Sequence, residues 1–369
     1  MLMLSRISIA VLMLTLGGCT TPDILDCRAA GGLTPDCRFE NPEDFAKSPK
    51  GAALIVSEMG QGSLESRGGR LVAYMPNAEG RLGDIRVLWP RSSAPARTMP
   101  VAVGAATLGD PSCPALGAQR FAPHGINARR LEDGRHVLYV VNHGARESIE
   151  IFEMFDDGRE VVIEPRGCVL APPDSTTNDV VVLADGGFRV SDSFRRTENV
   201  IVSGLRMRYG SHRPGLAWEW HSGKGYSRIA DSDVAYANGI ESSPDGKYLY
   251  LNGYFENAVI KVDTTTGQRV AEATVMGPDN VTWSDNGRLL VASHHAGTFD
   301  LLKCLGIERG NCGFRFQVVE VDPDTMATRV LLDRSGPPIG AVTVALPFDD
   351  RLYLGTFAGD RIAWMRIPE

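Results

Sequence analysis

The feature that most constrains the fold is a segment that recurs six times along the chain. Each copy begins with a dipeptide of small or turn-forming residues. A predicted strand follows, in which apolar and polar residues alternate, and it ends in a polar or aromatic residue. The copies are Ser48–Gly60, Glu132–Gly144, Ala184–Phe194, Pro244–Tyr254, Asp285–His295 and Phe348–Ala358. Their turns lie near positions 51, 134, 186, 246, 287 and 350, a mean spacing of about 60 residues. Six units of this length account for the residues that follow the N-terminal leader. We therefore expect no second domain within these 369 residues.

Each copy is typical of a β-hairpin, because Asp-Gly and Asn-Gly suit the positive-φ positions of two-residue turns. Six hairpins, each with room for two further strands, predict an all-β fold, a six-bladed β-propeller. The 40 glycines and 22 prolines, spread along the chain, fit many tight turns between short strands. A β-sandwich is the alternative, but its turn signals would recur every 8 to 12 residues or so, without the longer period.

The N-terminal residues have the pattern of an export signal. Arg6 precedes an apolar run from Ile7 to Leu16, which is too short to span a bilayer. The closing residues Leu16-Gly17-Gly18-Cys19 resemble a bacterial lipobox, in which the cysteine is acylated. We therefore expect a lipoprotein signal peptide at 1–18, lipid on Cys19, a tether at 19–40 and the propeller at 41–369. This predicts a lipid-anchored protein of the bacterial cell envelope, at the outer membrane or periplasmic face, with an ordinary secretory signal as the alternative.

Cysteine count and charge exclude several function classes. Without Cys19 six cysteines remain, an even number that suits an oxidising compartment. Two pairs are close enough to close small loops, which leaves a third, so we expect Cys27–Cys37, Cys304–Cys312 and Cys113–Cys168. No C-x-x-C spacing indicates zinc. A formal charge of −7 provides no basic stripe, which argues against nucleic acid as a partner.

A polar cluster precedes five of the six turns by a similar distance. The clusters are Pro42-Glu43-Asp44, Pro123-His124-Gly125, Thr177-Asn178-Asp179, Ala237-Asn238-Gly239 and Pro278-Asp279-Asn280. If each innermost strand runs along the channel from its cluster to its turn, all five clusters meet at one mouth. The second strand of each hairpin returns to the same end, so His143 and His294 are expected beside His124.

This gathering predicts a calcium site with a histidine pair next to it. The clusters supply the oxygen ligands that calcium prefers, with two carboxylates to balance its charge: Glu43, Asn178, Asn238, Asp279 and Asn280. Each of these residues, taken singly, is an ordinary turn residue. Only their shared position, at a similar distance before the turn of each repeat copy, indicates a metal in the central channel. Of His124 and His143, one imidazole can take a proton from water while the other orients it, and the metal polarises a carbonyl.

These segments resemble the paraoxonase family of calcium-dependent lactonases and arylesterases, which is close to the gluconolactonase-type propellers. The segments that carry the resemblance are PEDFAKSPKGAALIVS, PHGI, VVNHG, TNDVV, GLAW, YANGIESSPDGKYLYL, PDNVTW, VASHH and GTFAGDRIAW. The family joins a cysteine ahead of its first Glu-Asp to one near the C-terminus, and Cys37 has no such partner here. We therefore expect strand pairing to close the ring. Residues 195–213 match no family segment.

The resemblance implies two calcium ions and a division of roles between the channel residues. The catalytic ion would be held by Glu43, Asn178, Asn238, Asp279 and Asn280. A buried structural ion would be held by Asp44, Asp179 and the backbone carbonyl of Ile126. His124 would be the catalytic base, His143 its partner, and His294 a residue that lines the substrate pocket.

The sequence thus predicts a calcium-dependent hydrolase of a small-molecule lactone or aryl ester. One alternative is a non-catalytic propeller that keeps calcium for stability and presents its loops to a ligand or partner. Another is a gluconolactonase-like sugar lactonase, which usually carries an Asp base where this chain has His. A pure binding module has no need of His124 and His143 together at a metal, which favours the hydrolase.

Overall fold

The computed structural model describes residues 22–60, 68–76, 83–90, 108–115, 121–307 and 309–367. The expected signal peptide and Cys19 lie outside these residues. Within the described part, no helix is both long and apolar enough to cross a membrane. Two short strands, β1 (Asp23–Ile24) and β2 (Thr34–Asp36), come first along the chain.

Six antiparallel sheets then follow one another as blades, as the repeat predicts. Blade 1 consists of β3 (Pro42–Lys47), β4 (Leu54–Glu58), β5 (Arg70–Met75) and β6 (Asp84–Trp89). The short β7 (Leu108–Gly109) joins the edge of blade 2, which consists of β8 (Pro123–Arg130), β9 (His136–Asn142), β10 (Ser148–Asp156) and β11 (Val161–Leu170). Blade 3 consists of β12 (Thr177–Val182), β13 (Phe188–Asp192), β14 (Leu216–His221) and β15 (Gly225–Arg228), with helix α1 (Val200–Tyr209) between β13 and β14.

The remaining three blades repeat this order. Blade 4 consists of β16 (Ala237–Ser242), β17 (Tyr248–Gly253), β18 (Ala258–Asp263) and β19 (Gln268–Thr274). Blade 5 consists of β20 (Pro278–Trp283), β21 (Leu289–His294), β23 (Phe316–Val321) and β24 (Thr328–Arg334), and helix α2 (Thr298–Cys304) and β22 (Asn311–Cys312) lie between β21 and β23. Blade 6 consists of β25 (Val342–Phe348), β26 (Arg351–Thr356) and β27 (Ile362–Arg366).

The ring closes by strand pairing between the two ends of the described chain. The N-terminal strand β2 pairs antiparallel with β27 and so becomes the outer strand of blade 6, with Thr34 opposite Trp364. Neighbouring innermost strands contact each other around the channel, including β25 of blade 6 with β3 of blade 1. The expected closure by pairing is therefore confirmed. The structure also contains the three expected disulfides: Cys27–Cys37, Cys113–Cys168 and Cys304–Cys312.

The predicted turns all connect the innermost strand of a blade to the second strand. Five of these turns carry a glycine with positive φ: Gly51, Gly134, Gly186, Gly246 and Gly287. In the sixth, between β25 and β26, Asp349 takes the left-handed conformation with φ of 52°. Between the blades, apolar side chains from facing sheets pack together, as where Tyr139 of blade 2 meets Phe188 of blade 3. The innermost strands are thus held rigidly around the channel.

Candidate active site

A β-bulge lies near the start of every innermost strand. The register with the second strand slips between Pro42 and Asp44, Pro123 and Ile126, Thr177 and Val180, Ala237 and Ile240, Pro278 and Val281, and Val342 and Val344. A bulge adds an unpaired residue and bends the strand, which redirects side chains. The bulged residues are those of the predicted polar clusters in five blades and Thr343 in the sixth. The clusters are therefore turned inward together at one end of the channel.

Two glycines let neighbouring innermost strands approach closely at this level. A Cβ on Gly125 would lie 2.5 Å from the Cα and Oδ1 atoms of Asp179. A Cβ on Gly239 would lie 2.6 Å from the carbonyl oxygen of Asp279. Neither position has room for a side chain, so the PHG and ANG clusters bring blade 2 against blade 3 and blade 4 against blade 5.

The five residues predicted to hold the catalytic calcium converge at the mouth. Asn280 Nδ2 donates to Glu43 Oε1 at 2.7 Å, which links blades 5 and 1 across the ring. The Asn238 side chain lies beside the Asp279 carboxylate, and the Asn178 side chain lies beside the Tyr236 hydroxyl. All five are almost completely buried. The five side chains therefore lie together at the mouth, and Asn280 is fixed by its hydrogen bond to Glu43.

The oxygens of this set are left without partners. Among the described residues, the buried side-chain atoms that make no hydrogen bond include Glu43 Oε2, Asn178 Oδ1, Asn238 Oδ1 and Asn280 Oδ1. A buried acceptor without a partner costs about 1–3 kcal/mol. Four such oxygens in one place, with two carboxylates, match the oxygen-only coordination of a hard divalent cation such as calcium.

A second pair of carboxylates lies deeper in the channel. Asp44 accepts from the backbone N–H of Phe45 and of Ile126, each at 2.7 Å. Asp179 accepts from the N–H of Val180 at 2.7 Å and of Ile240 at 2.9 Å. Each aspartate thus ties its own blade to the next one. Asp44, Asp179 and Ile126, the expected structural-ion set, are brought together here.

Charge accumulates in this part of the channel. Burial raises the pKa of Asp44 to about 7. Burial and then the neighbouring charges of Asp44 and Asp279 raise the pKa of Glu43 well above its ordinary value, and burial is also the main cause of the raised pKa values of Asp179 and Asp279. Mutually repelling carboxylates that cannot reach water need a counter-charge.

The donor set fits calcium better than a metal held by side-chain nitrogen or sulfur. No three His, Cys, Asp or Glu side chains of the described residues converge closely enough to hold a metal by themselves. Each ion would therefore depend on amide or backbone oxygens in addition to one or two carboxylates. That mixture is usual for calcium and is foreign to zinc.

His124 and His143 form the expected pair on the side of blade 2. His124 Nδ1 lies 2.8 Å from His143 Nε2, and His124 Nε2 lies 3.7 Å from Glu43 Oε1. Burial is the main cause of a pKa of His124 well below its ordinary value. His124 is therefore neutral near pH 7 and able to accept a proton.

His294 lies across the mouth, buried in an aromatic wall. Its Nε2 lies 2.8 Å from the carbonyl oxygen of Val342, and its Nδ1 lies 3.0 Å from the Tyr254 hydroxyl. Burial lowers its pKa to about 3. The rings that continue this wall through stacking and edge contacts are Phe194, Tyr236, Tyr254, Phe255, Phe314 and Phe357. The mouth therefore has a polar side at the histidine pair and an aromatic side opposite.

Sequence reasoning missed several residues of the site. Glu147 contacts His143, Tyr254 contacts His294, and Thr343 donates from its Oγ1 to the carbonyl oxygen of Glu43 at 2.6 Å. Tyr254 ends one of the six repeat copies, so its position in the repeat could have indicated it. Thr343 has no charge and no turn signal, and nothing in the sequence marks it.

A separate cavity of about 290 Å³ opens toward the other end of the channel. Lys47, Glu241 and Trp283 line it, and Asp44 and Asp179 form its inner end. The histidine pair does not line it, so this cavity is distinct from the mouth described above.

Comparison with known proteins agrees with this architecture. The structure of a luciferin-regenerating enzyme is similar with a TM-score of 0.50 and 13% identity, over 90% of this chain and 95% of that one. A gluconolactonase from Xanthomonas campestris aligns with a TM-score of 0.48 and 15% identity, over 95% and 96% of the two chains. The fold and channel together define this protein as a six-bladed β-propeller with a polar, oxygen-lined site at one mouth.

The family is shown by sequence. The model of the arylesterase family matches residues 113–361, so the chain belongs to that family. Serum paraoxonase/arylesterase 2 of Gallus gallus is 25% identical over 247 residues, 64% of this chain and 66% of that protein. Serum paraoxonase/arylesterase 1 of Homo sapiens is 28% identical over 135 residues, 36% of each chain. The aligned part is thus less than two thirds of either relative.

Proposed function

We propose that this protein is a calcium-dependent hydrolase of lactones or aryl esters. The observation that carries the proposal is the His124–His143 pair at 2.8 Å, placed beside a set of buried oxygens that have no hydrogen-bond partner. A binding propeller would need the oxygens but not the histidine pair. Membership of the arylesterase family and the names of the paraoxonase/arylesterase relatives support the same reaction class.

The catalytic ion would be held by Glu43, Asn178, Asn238, Asp279 and Asn280, and the structural ion by Asp44, Asp179 and the Ile126 carbonyl. When bound at the mouth, calcium would polarise the substrate carbonyl and stabilise negative charge on its oxygen. His124 Nε2 faces this set and takes the proton of the attacking water. His143 holds His124 in that orientation through its Nε2. The aromatic wall around His294 provides the apolar surface for the acyl or aryl part of the substrate.

The proposal is tested by a panel of lactones of different ring size and acyl length, sugar lactones and aryl esters. Hydrolysis is measured with calcium, after chelation and after calcium is restored. We expect turnover that chelation abolishes and that calcium restores. Turnover that survives complete removal of the metal, or no turnover of any substrate with calcium, would contradict the proposal. Turnover confined to sugar lactones would favour a gluconolactonase-like activity.

We also propose that Cys19 carries a lipid that anchors the protein to the bacterial cell envelope. The support is the apolar run that ends in Leu16-Gly17-Gly18-Cys19. Cys19→Ser should leave the protein unprocessed or soluble, as measured by membrane fractionation and mass spectrometry of the N-terminal peptide. A variant that still fractionates as a mature lipoprotein would show the assignment to be wrong.

A further inference from the structure

The carboxylate of Glu147 lies against His143, at the ring nitrogen that does not contact His124. Its Oε1 and Oε2 atoms lie 2.9 and 3.0 Å from His143 Nδ1. The Thr177 hydroxyl donates to Glu147 Oε2 at 3.1 Å, and Arg196 Nη1 lies 3.6 Å from Oε1. Burial alone would raise the pKa of Glu147, but His143 and Arg196 outweigh burial and lower it. Glu147 is therefore ionised and lies against Thr177 of β12 and Arg196, which lies between β13 and α1.

These contacts determine where the imidazole protons lie. An ionised carboxylate only accepts hydrogen bonds, so His143 Nδ1 carries a proton in this contact. In neutral His143 the Nε2 atom then has a lone pair and accepts from His124 Nδ1 at 2.8 Å. With its proton on Nδ1, neutral His124 has a free lone pair on Nε2, the atom that faces Glu43.

We propose that Glu147 is a positioning residue that sets both tautomers and so leaves His124 Nε2 free to act as a base. This inference rests on the proposed hydrolase function for its purpose, but the proton positions can be measured without a substrate. His294 provides the contrast, because its Nε2 donates to the Val342 carbonyl and its Nδ1 accepts from Tyr254. No free lone pair remains on its ring, although it lies at the same mouth.

The proton movement is balanced within the pair. An O–H bond of water breaks as its proton bonds to His124 Nε2, and the hydroxide oxygen bonds to the substrate carbonyl carbon. The proton of His124 Nδ1 then passes to His143 Nε2. The imidazolium of His143 lies against Glu147, which stabilises the positive charge without taking a proton itself. When the leaving oxygen needs a proton, the same movements run in reverse.

The test is the isosteric variant Glu147→Gln in the calcium-loaded protein. Thr177 donates to Oε2, so the amide oxygen would take that position and the amide NH2 would take the position of Oε1, which lies 2.9 Å from His143 Nδ1. That contact favours the opposite tautomer in both rings and places a proton on His124 Nε2. We expect ring ¹⁵N NMR shifts to report this reversal. We also expect kcat to fall about tenfold or more while KM and calcium affinity stay nearly constant.

Glu153→Gln is the matched control. Glu153 is a buried carboxylate on β10, the strand that begins directly after Glu147, and Arg166 donates to it at 2.6 Å, but it does not contact the histidine pair. This variant should keep both the ring shifts and kcat of the parent.

Two results would overturn the inference. One is the finding that His143 of the unsubstituted protein is protonated on Nε2 and not on Nδ1. This measurement needs no variant. The other is a Glu147→Gln variant with unchanged tautomers and unchanged kcat. If the tautomers are as stated but no lactone or ester is hydrolysed, the proposed function fails while the role of Glu147 in positioning the pair stands.

Discussion

At the scale of single residues, the two sets of proposed calcium ligands differ in their contacts within the protein. Asp44 accepts two backbone N–H groups, one from its own blade and one from the next. Asp279 instead lies among side chains whose amide oxygens have no partner. The deeper set therefore holds blades together directly, whereas the set at the mouth would be organised around the proposed ion.

This difference predicts opposite effects of two similar substitutions. In the calcium-loaded protein, Asp44→Asn replaces one of the two carboxylate oxygens that accept backbone N–H groups with an NH2 group, which leaves one of these donors without an acceptor, so it should lower Tm strongly. Asp279→Asn should weaken calcium binding and lower kcat with a smaller change in Tm. The measurements are thermal unfolding, calcium titration and turnover, with Asp285→Asn, an exposed partner of Lys47, as control. Equal losses of Tm in the two variants would indicate one merged site.

At the scale of elements, the outer strand of blade 6 comes from the N-terminal end. Strand β2 pairs with β27 over only three residues, Thr34–Asp36. The Cys27–Cys37 disulfide closes the segment that contains this strand, and Arg361 donates to the backbone carbonyls of Ile24 and Asp26. Ring closure thus depends on a short strand with side-chain supports.

Removal of the Cys27–Cys37 bond should weaken this closure. A disulfide that closes a short loop typically contributes about 2–4 kcal/mol, so the Cys27→Ser, Cys37→Ser double variant should lose stability of that order. Denaturant unfolding measures the loss, and hydrogen exchange should show faster opening of β2 and β27 than of blade 3. An unchanged midpoint with unchanged exchange in β2 would show that the strand pairing suffices alone.

The same scale shows what the sequence could and could not predict. The hairpins were predictable because Asp-Gly and Asn-Gly act locally, and their common spacing indicated the six blades. The clusters before the turns were predictable for the same reason. The bulges at Glu43 and at Asn178 were not, because a register slip depends on the partner strand. Glu147 was not predicted although it is only four residues from His143, because it lies beyond the repeat copy that ends at Gly144.

At the scale of the whole molecule, the buried carboxyl groups of the channel predict that stability depends on pH and on the proposed calcium. In the metal-free protein burial raises the pKa of Asp44 to about 7, and the pKa values of Glu43, Asp179 and Asp279 are also raised. A carboxyl with a raised pKa in the folded state contributes stability that is complete below its unfolded pKa, near 4. That stability is lost as pH rises through the folded pKa.

We therefore predict that the Tm of the chelated protein falls between about pH 4.5 and pH 8. Calcium displaces the protons and compensates the charge, so its gain in Tm should be larger at about pH 7.5 than at about pH 5.5. Differential scanning calorimetry at both pH values, with calcium and with chelator, measures this. A calcium gain that is equal at both pH values would contradict the account of the buried carboxylates.

The central claim, that His124 is the base of a calcium-assisted hydrolysis, is tested most directly by kcat of His124→Gln on the best lactone or ester of the parent. The control is His221→Gln, because His221 contacts Asp185 and Glu219 on the outer part of blade 3. We predict that kcat of His124→Gln falls by about a hundredfold or more, because a general base typically contributes 10² to 10⁴ in rate. Calcium affinity should remain nearly unchanged in both variants, since neither histidine is among the oxygen ligands. A His124→Gln variant that hydrolyses the same substrate at the parental rate would contradict the account and assign the base to another group at the mouth.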